Sequence, residues 1–459
     1  MGFIGRVDER NRLNSAIASE RQEVVLLYGR RRIGKSELLH NCCDQLDCKV
    51  VFFQCRMVTE SLNIEFLSVE INKVFKNVGV SFNRFEDILN YLFDKAKNEK
   101  IVFVLDEYPF LRKSIEGCDS IIQAHIDLNR NDSNLKLILC GSYIDIMQSL
   151  LAYSNPLYGR FTEVINLKEM NYLETAMFYP NYSCEDKLKL YSVFGGVPFY
   201  NKQVNHNKSA DQNIIDLVIT PNAILRNEID NYLSAEVSKL ENANSVFEAI
   251  GKGKSKFMDI YSASGLNTDS ALNNILHKLI GMEVLEKEFP INAMTDKKKA
   301  NYRILDSLAA FYYRYISRGL VQIDTMGATT YFKEYILEDF ETQYIPKMYE
   351  RVCKQFLIMK NKEGMINPPL ELIGKYYYDL PKEKKNGEFD IVAKDKNGYI
   401  FFEVKYTKEK ITDSIIMKEI EQVEASPLDA YQYGFFSKKG FSLKKEYPYM
   451  LYKLEDIYK

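Results

Sequence analysis

The sequence predicts an α/β protein whose first part is built on a parallel β-sheet. Five short apolar runs, rich in β-branched residues, are spaced along the first 170 residues: 24–28, 50–54, 101–105, 135–140 and 162–167. Nearly continuous apolar runs of this length indicate strands that are buried on both faces. Helical patterns lie between them, for example at 35–47 and 86–97. Strands that alternate with helices are typical of a parallel sheet.

The composition is that of a globular protein and excludes several classes. Of the 459 residues, 46% are apolar and 27% are charged, which excludes a disordered chain and a disulfide-rich miniprotein. A chain of this length is expected to hold two to four domains of about 150 residues. The net charge of −2 argues against a surface that is basic throughout, so any contact with nucleic acid would be local.

The cysteines and the apolar runs indicate a protein of the cytosol. The eight cysteines contain no C-x-x-C pair and the four histidines are isolated, so we expect neither a zinc site nor a disulfide framework. No apolar run approaches the roughly 20 residues of a membrane-spanning helix. We therefore expect no membrane segment and a cytoplasmic location.

A phosphate-binding loop follows the first predicted strand. Residues 29–36 match the pattern G-x-x-x-x-G-K-S and lie between the run 24–28 and a predicted helix, which is the context that the motif requires. Glycines let the backbone approach a phosphate, and the N-terminus of a helix carries positive partial charge. The lysine would neutralise the β- and γ-phosphates, and the serine hydroxyl would bind magnesium. We expect ATP and Mg²⁺ at this loop and the first helical turn: Gly29, Arg30, Arg31, Arg32, Ile33, Gly34, Lys35, Ser36 and Glu37.

Two adjacent carboxylates end the third predicted strand. Asp106 and Glu107 follow the apolar run 101–105, as in a Walker B element. We expect Asp106 to hold the magnesium ion through water and Glu107 to polarise the attacking water. A glutamate beside the magnesium aspartate favours hydrolysis over binding alone. The alternative is a solvated end of a strand.

Two further residues are candidates for contact with the γ-phosphate. Ser142 follows the fourth strand and would face this phosphate, although it equally suits an N-cap of the helix before Ile144. Arg160 precedes the fifth strand, and an arginine stabilises the charge that develops on a γ-phosphate during transfer. Its alternative is a structural ion pair. If Arg160 acts on the ATP of a neighbouring copy, the protein is a homo-oligomer.

These motifs, in this order, resemble those of the archaeal-type ATPase family, an AAA+ branch related to the STAND NTPases and also found in bacteria. The matching pieces span the first 200 residues: FIGR at 3–6, GRRRIGKSELL at 29–39, LDEYPFL at 105–111, CGSYIDIM at 140–147, PLYGRF at 156–161 and GGVPFY at 195–200. The resemblance implies a P-loop AAA+ core with a helical lid and a winged helix. It also implies that Gly5 and Arg6 lie near the nucleotide and that Pro198 makes a contact of the lid.

The chain after the motifs divides by its patterns. We expect the ATPase core at 1–170, a helical lid at 171–240, and a winged helix at 241–320, where helical patterns precede a two-stranded hairpin. The turn of this hairpin contains Lys297, Lys298 and Lys299. These lysines would contact the backbone of double-stranded DNA, although solvated lysines at the tip of a hairpin are the more common case.

The last part, residues 335–459, carries a second set of chemical residues. Asp390 lies on one predicted strand, and Glu403 and Lys405 lie on the next, after a turn that contains Asn-Gly. Residues two apart on a strand face the same side, and a hairpin would bring Asp390 alongside Glu403. This D…E-x-K layout resembles that of restriction-endonuclease-like domains, which have an α/β fold.

The chemistry of such a site would be metal-assisted cleavage of a phosphodiester. Asp390 and Glu403, together with Glu350 on the preceding helix, would hold magnesium. Lys405 would lower the pKa of the metal-bound water or neutralise the scissile phosphate. The alternative is an amphipathic hairpin that carries a surface salt bridge.

Two functions are consistent with these residues. The first is an ATP-hydrolysing protein whose nucleotide state controls DNA binding or cleavage by the C-terminal nuclease-like domain. The second is an ATP-dependent signalling or scaffold switch, in which that domain binds a partner without cutting.

Overall fold

The computed structural model describes residues 2–44, 46–76, 79–226, 228, 242–380 and 385–459. The chain divides into two compact units. The first contains Met1–Met170 and Val197–Phe199, and the second contains Asn171–Gly196 and Tyr200–Lys459. The expected lid, 171–240, lies partly outside the described residues.

The first unit contains a five-stranded parallel sheet. Its strands are β1 (Glu23–Tyr28), β2 (Lys49–Gln54), β3 (Ile101–Asp106), β4 (Leu135–Gly141) and β5 (Glu163–Asn166). They lie in the order β2-β3-β4-β1-β5, and every pair is parallel. The prediction of a parallel α/β sheet is therefore confirmed.

The central strands explain the apolar runs of the sequence. β1, β3 and β4 are buried at every position, so both faces of the sheet are covered. The predicted helix 35–47 ends earlier, at Cys43. The helices of this unit are Val7–Ala18, Lys35–Cys43, Glu60–Phe75, Phe85–Lys95, Tyr108–Ser114, Cys118–Leu128 and Ile144–Ser149.

The second unit begins with helices. Before residue 227 these are Tyr172–Ala176, Cys184–Phe194, Ala210–Ile214 and the π-helical turn Ile215–Ile219, and the short helix Pro198–Asn201 crosses from one unit to the other. A second group follows: Ala243–Gly251, Phe257–Ser264 and Asp269–Gly281. An antiparallel hairpin comes next, formed by β6 (Leu285–Glu288) and β7 (Asn301–Ile304).

A further run of helices joins the hairpin to the C-terminal sheet. The α-helices are Ser307–Phe311, Leu320–Met326, Ala328–Tyr331, Leu337–Asp339 and Ile345–Lys362. The π-helical turns between them are Tyr312–Ile316, Phe332–Ile336 and Phe340–Tyr344. The long helix Ile345–Lys362 carries Glu350.

The C-terminal sheet is mixed. Its strands are β8 (Leu372–Leu380), β9 (Lys385–Asp395), β10 (Gly398–Lys405), β12 (Ala430–Ser437) and β14 (Met450–Lys453). The order is β14-β12-β10-β9-β8, with β8, β9 and β10 antiparallel and β10, β12 and β14 parallel. Two short strands, β11 (Ile411–Thr412) and β13 (Phe441–Ser442), pair separately, and the helices here are Asp413–Glu424 and Leu454–Ile457.

Within the residues that the structure describes, no helix is both long and apolar enough to cross a bilayer.

Candidate functional site

The phosphate loop, residues 29–36, connects β1 to the helix Lys35–Cys43. A Cβ atom at Gly29 would lie 2.3 Å from the backbone oxygen of Leu167, so no side chain fits there. Gly34 has a φ of 95°, a conformation that favours glycine. Both glycines of the motif are therefore required by the backbone as it stands.

Lys35 is the first residue of the helix after the loop, and it is buried. Its Nζ atom donates to the backbone oxygens of Gly29 at 2.9 Å and Arg30 at 3.0 Å, and to Oγ of Ser142 at 2.8 Å. Burial lowers the pKa of Lys35, because the charged form loses solvation, while the nearby carboxylate of Glu107 acts in the opposite direction.

Ser36 and Asp106, which belong to different elements, contact each other. The Ser36 hydroxyl donates to Oδ2 of Asp106 at 2.6 Å, and Oδ1 of Asp106 accepts the backbone N–H of Glu107 at 3.0 Å. Asp106 is buried at the end of β3. These two side chains bring hard oxygen donors to one point, which suits Mg²⁺.

Glu107 is turned toward the phosphate loop by its backbone. It follows β3 with a φ of 54°, so its side chain does not continue the alternation of side chains between the two faces of the strand. Its carboxylate accepts the hydroxyl of Ser142 and lies 3.3 Å from the Ser142 backbone nitrogen. The helix that follows Ser142 begins at Ile144. Tyr143 occupies its N-cap position, and the Tyr143 side chain makes no capping hydrogen bond. The Ser142 hydroxyl therefore forms hydrogen bonds with Glu107 and Lys35. It does not cap the helix, as the N-cap alternative requires.

The three arginines between the glycines of the loop also make side-chain contacts. Arg30 pairs with Glu169 at 2.7 Å, Arg31 donates to the Tyr143 hydroxyl at 2.7 Å, and the guanidinium of Arg32 lies 4.2 Å from the ring centroid of Phe199. Sequence reasoning did not single out Glu169 or Tyr143 as partners of the loop, because only the fold brings them to it.

Two expectations drawn from the family resemblance concern the surroundings of the loop. Nη2 of the buried Arg6 donates to the backbone oxygen of Ile33 at 3.1 Å. A Cβ atom at Gly34 would lie 3.7 Å from Cγ of Pro198. Arg6 and Pro198 therefore both lie beside the loop, while the exposed Glu37 occupies the first turn of the helix.

Arg160 makes an ion pair within its own chain. Its Nη2 atom lies 2.9 Å from Oδ2 of Asp127, and its Nη1 atom donates to the backbone oxygen of Tyr158 at 2.8 Å. This arrangement corresponds to the structural alternative, and action on the ATP of another copy stays a prediction.

The D…E-x-K residues meet on the hairpin of β9 and β10. Phe402 pairs with Ile391, which places Glu403 and Asp390 at the next positions along the two strands. Asp390 is half exposed, whereas Glu403 is largely covered. The hairpin therefore brings these carboxylates together as the sequence indicates, and their role as metal ligands stays a prediction.

Lys405 bridges two carboxylates. Its Nζ atom lies 2.7 Å from Oε1 of Glu403 and 2.8 Å from Oε1 of Glu419, on the helix Asp413–Glu424. Burial raises the pKa of Glu403. Burial alone would lower the pKa of Lys405, but the two carboxylates raise it. Sequence reasoning missed Glu419, because nothing in its spacing from Lys405 indicates the contact.

Lys375, on β8, bridges a second pair of carboxylates. Its Nζ atom lies 2.7 Å from Oε1 of Glu388 and 3.3 Å from Oδ1 of Asp390. Burial would lower the pKa of Lys375, but Asp390 and Glu388 raise it. Burial and the charge of Asp390 raise the pKa of Glu350 to about 7. Across the described ranges, no three His, Cys, Asp or Glu side chains form a group that could hold a metal ion.

The lysines near the β6–β7 hairpin differ in their contacts and in their exposure to solvent. The ammonium of Lys299 lies 4.1 Å from the ring centroid of Tyr377, and Lys256 donates to the Lys299 backbone oxygen at 2.9 Å. Lys297 and Lys298 are exposed. Of the three lysines expected to face DNA, Lys299 is therefore already placed against the C-terminal sheet.

Comparisons with known proteins bear on both units. Residues 3–204 match a family described as an ATPase domain predominantly from Archaea, and residues 312–420 match one described as archaeal and bacterial proteins of unknown function. An uncharacterized protein of Methanocaldococcus jannaschii is 28% identical over 99% of this chain and 100% of its own length. A second uncharacterized protein of that organism is 38% identical over 17% of this chain and 72% of its own length.

A solved structure also resembles the chain. The Walker-type ATPase of Pyrococcus abyssi matches with a TM-score of 0.53 and 17% identity, over 68% of this chain and 96% of its own. A match at this identity indicates a shared fold.

Proposed function

We propose that the chain binds and hydrolyses ATP at the phosphate loop, since residues 3–204 match the family described as an ATPase domain predominantly from Archaea. The observation that carries this proposal is the pair of hydrogen bonds that links Lys35 to Ser142 and Ser142 to Glu107. It connects the residue expected to bind phosphate with the residue expected to activate water.

Each residue of the proposed site has a chemical role. The loop N–H groups and Lys35 bind the phosphates, and Glu107 orients the attacking water. Magnesium, held by Ser36 and Asp106, would neutralise phosphate charge. Ser142 positions the Glu107 carboxylate, because its hydroxyl and its backbone nitrogen both face that group.

Release of phosphate from ATP tests the proposal directly. The purified full chain should release phosphate when Mg²⁺ is present, and the Lys35→Ala variant should not. Equal rates in the two proteins would assign the activity to a contaminant and overturn the proposal.

For the C-terminal domain, the first candidate function is ATP-controlled action on double-stranded DNA. It is supported by the placement of Asp390, Glu403 and Lys405 on one hairpin. In this proposal the domain is restriction-endonuclease-like, and the preceding helices and hairpin form a winged helix whose exposed Lys297 and Lys298 contact phosphates.

Two measurements test action on DNA. Supercoiled plasmid should be cut in the presence of ATP and Mg²⁺ or Mn²⁺, and Asp390→Ala should abolish the cutting. A Lys297→Glu, Lys298→Glu double variant should bind duplex DNA more weakly and with a smaller salt dependence. Cutting that persists in Asp390→Ala would remove the C-terminal residues from the reaction.

The second candidate function is a nucleotide-dependent switch that binds a partner through the C-terminal domain. The ion pairs that Lys375 and Lys405 make with the carboxylates favour it. ATP turnover that is unaffected by DNA, in a protein that does not cut plasmid, would support the switch.

A further inference from the structure

Asp390 and Glu403, the two carboxylates of the D…E-x-K layout, each lie beside a lysine. Lys405 lies against Glu403, and Lys375 lies against Asp390. Each of these ammonium groups also contacts a second carboxylate, so each one bridges two acidic side chains. Each of the four carboxylates is therefore paired with an ammonium group of the same chain, although two lysines face four acidic side chains.

The positions of these lysines conflict with a ready-made site for a divalent cation. The donor chemistry is suitable, because carboxylate oxygens are the ligands of Mg²⁺ and Mn²⁺. However, the described residues contain no group of three acidic, His or Cys side chains that could hold a metal. In addition, Nζ of Lys375 is 3.3 Å from Oδ1 of Asp390, and a cation bound to that oxygen would be repelled at short range.

We infer that the C-terminal constellation is a closed network of lysines and carboxylates, and that Lys375 is the residue that prevents a divalent cation from binding at Asp390. Asp390 is the carboxylate that solvent reaches most easily, with 49% of its side chain exposed against 22% for Glu403. Lys375 is its bridge to Glu388. The inference rests on the second candidate function, because a domain closed in this way is suited to binding a partner.

The surroundings of Lys375 make it a suitable residue to change. Glu388 would not lose all its partners, because Nδ2 of Asn301 lies 3.2 Å from Oε2 of Glu388, and Nζ of Lys256 lies 3.5 Å from the same oxygen. Asp390 would be left beside water. We therefore expect the fold to tolerate a neutral residue at position 375.

The test is calorimetric titration of Mn²⁺ into the full chain without nucleotide. Wild type should show no binding that the Asp390→Asn substitution removes. Lys375→Met should gain such a site, with a Kd at least about tenfold below the weakest binding that the titration detects, since a nearby positive charge has been removed. Asp390→Asn in the Lys375→Met background should abolish the gain.

Two control variants separate local charge from other effects. Lys375→Arg keeps the charge and should resemble wild type. Lys396→Met removes a lysine from the exposed turn between β9 and β10 and should also resemble wild type. If Lys375→Met unfolds, Lys375→Gln, which keeps a neutral hydrogen-bond donor at this position, replaces it.

Three results would overturn the inference. The first is Mn²⁺ binding by wild type that depends on Asp390, which would at the same time support metal-dependent action on DNA. The second is the absence of any gain in both neutral variants of Lys375. The third is an equal gain in Lys375→Arg or Lys396→Met. ATP turnover, measured separately, is independent of all three, so failure of the ATPase proposal would be recognised by itself.

Discussion

The hydroxyl of Ser142 donates to the carboxylate of Glu107, and both groups belong to segments that follow neighbouring strands, β3 and β4. The same hydroxyl accepts a hydrogen bond from Lys35 at 2.8 Å. One serine therefore contacts both the residue expected to hold phosphate and the residue expected to activate water.

Glu107→Gln should bind ATP and hydrolyse it at least about 100-fold more slowly, because the amide cannot act as a base. Nucleotide affinity and single-turnover rate would be measured together. Full hydrolysis by this variant would remove Glu107 from the mechanism.

Ser142→Ala should lower turnover by about ten- to a hundredfold while ATP affinity changes less, since a hydrogen bond to a charged group is lost. Ser142→Thr should restore much of the rate. Ser149→Ala serves as the control, because the Ser149 hydroxyl bonds to the backbone oxygen of Ile146. A rate for Ser142→Ala equal to that of wild type would contradict the positioning role.

Lys35→Met should weaken ATP binding by on the order of 100-fold or more, because a charge-assisted contact with phosphate is removed. Lys97→Met, a change at an exposed lysine, is the matched control. Retention of wild-type affinity by Lys35→Met would argue against the phosphate loop as the binding site.

If Arg160 acts across copies, Arg160→Ala should lose turnover and keep ATP binding. Mixing it with Lys35→Ala should then restore part of the activity, since each variant supplies what the other lacks. Asp127→Ala tests the structural alternative, because it breaks the same ion pair and leaves the arginine in place. Equal loss in Asp127→Ala and Arg160→Ala, without restoration on mixing, would identify the ion pair as the whole contribution.

The pH dependence of stability can be predicted at Lys136, a buried lysine in β4. Burial lowers its pKa from 10.5 to about 8. Between these values the unfolded chain binds more protons, so stability rises with pH there, and the cost of burying the charge is fully present below about pH 8.

Lys136→Met should therefore stabilise the protein most at neutral pH. Its advantage over wild type should shrink by about 2 kcal/mol between pH 7 and pH 9.5. Thermal unfolding of both proteins at the two pH values measures this change. An advantage that does not vary with pH would show that Lys136 keeps its ordinary pKa.

The sequence predicts the central sheet and the phosphate loop well, because both depend on neighbouring residues. The apolar runs mark β1, β3 and β4 since these strands are buried on both faces. The sequence also indicates a role for Glu107 beside the loop, and its φ of 54° turns its carboxylate toward Ser142.

The partners that the sequence does not reveal are distant along the chain. The contact of Lys375 with Asp390 depends on the pairing of β8 with β9, and that of Lys405 with Glu419 depends on how a helix packs. The pair of Arg160 with Asp127 likewise spans 33 residues. Spacing and composition carry no information about such contacts.

The stacking of Arg32 over Phe199 offers an optical probe of the proposed nucleotide site. The sequence contains no tryptophan, so Phe199→Trp would introduce a single tryptophan against the loop. Its emission would report movement of Arg32 as nucleotide arrives and leaves. Binding and release would then be followed in real time, in a protein whose remaining signal comes from tyrosine and phenylalanine alone.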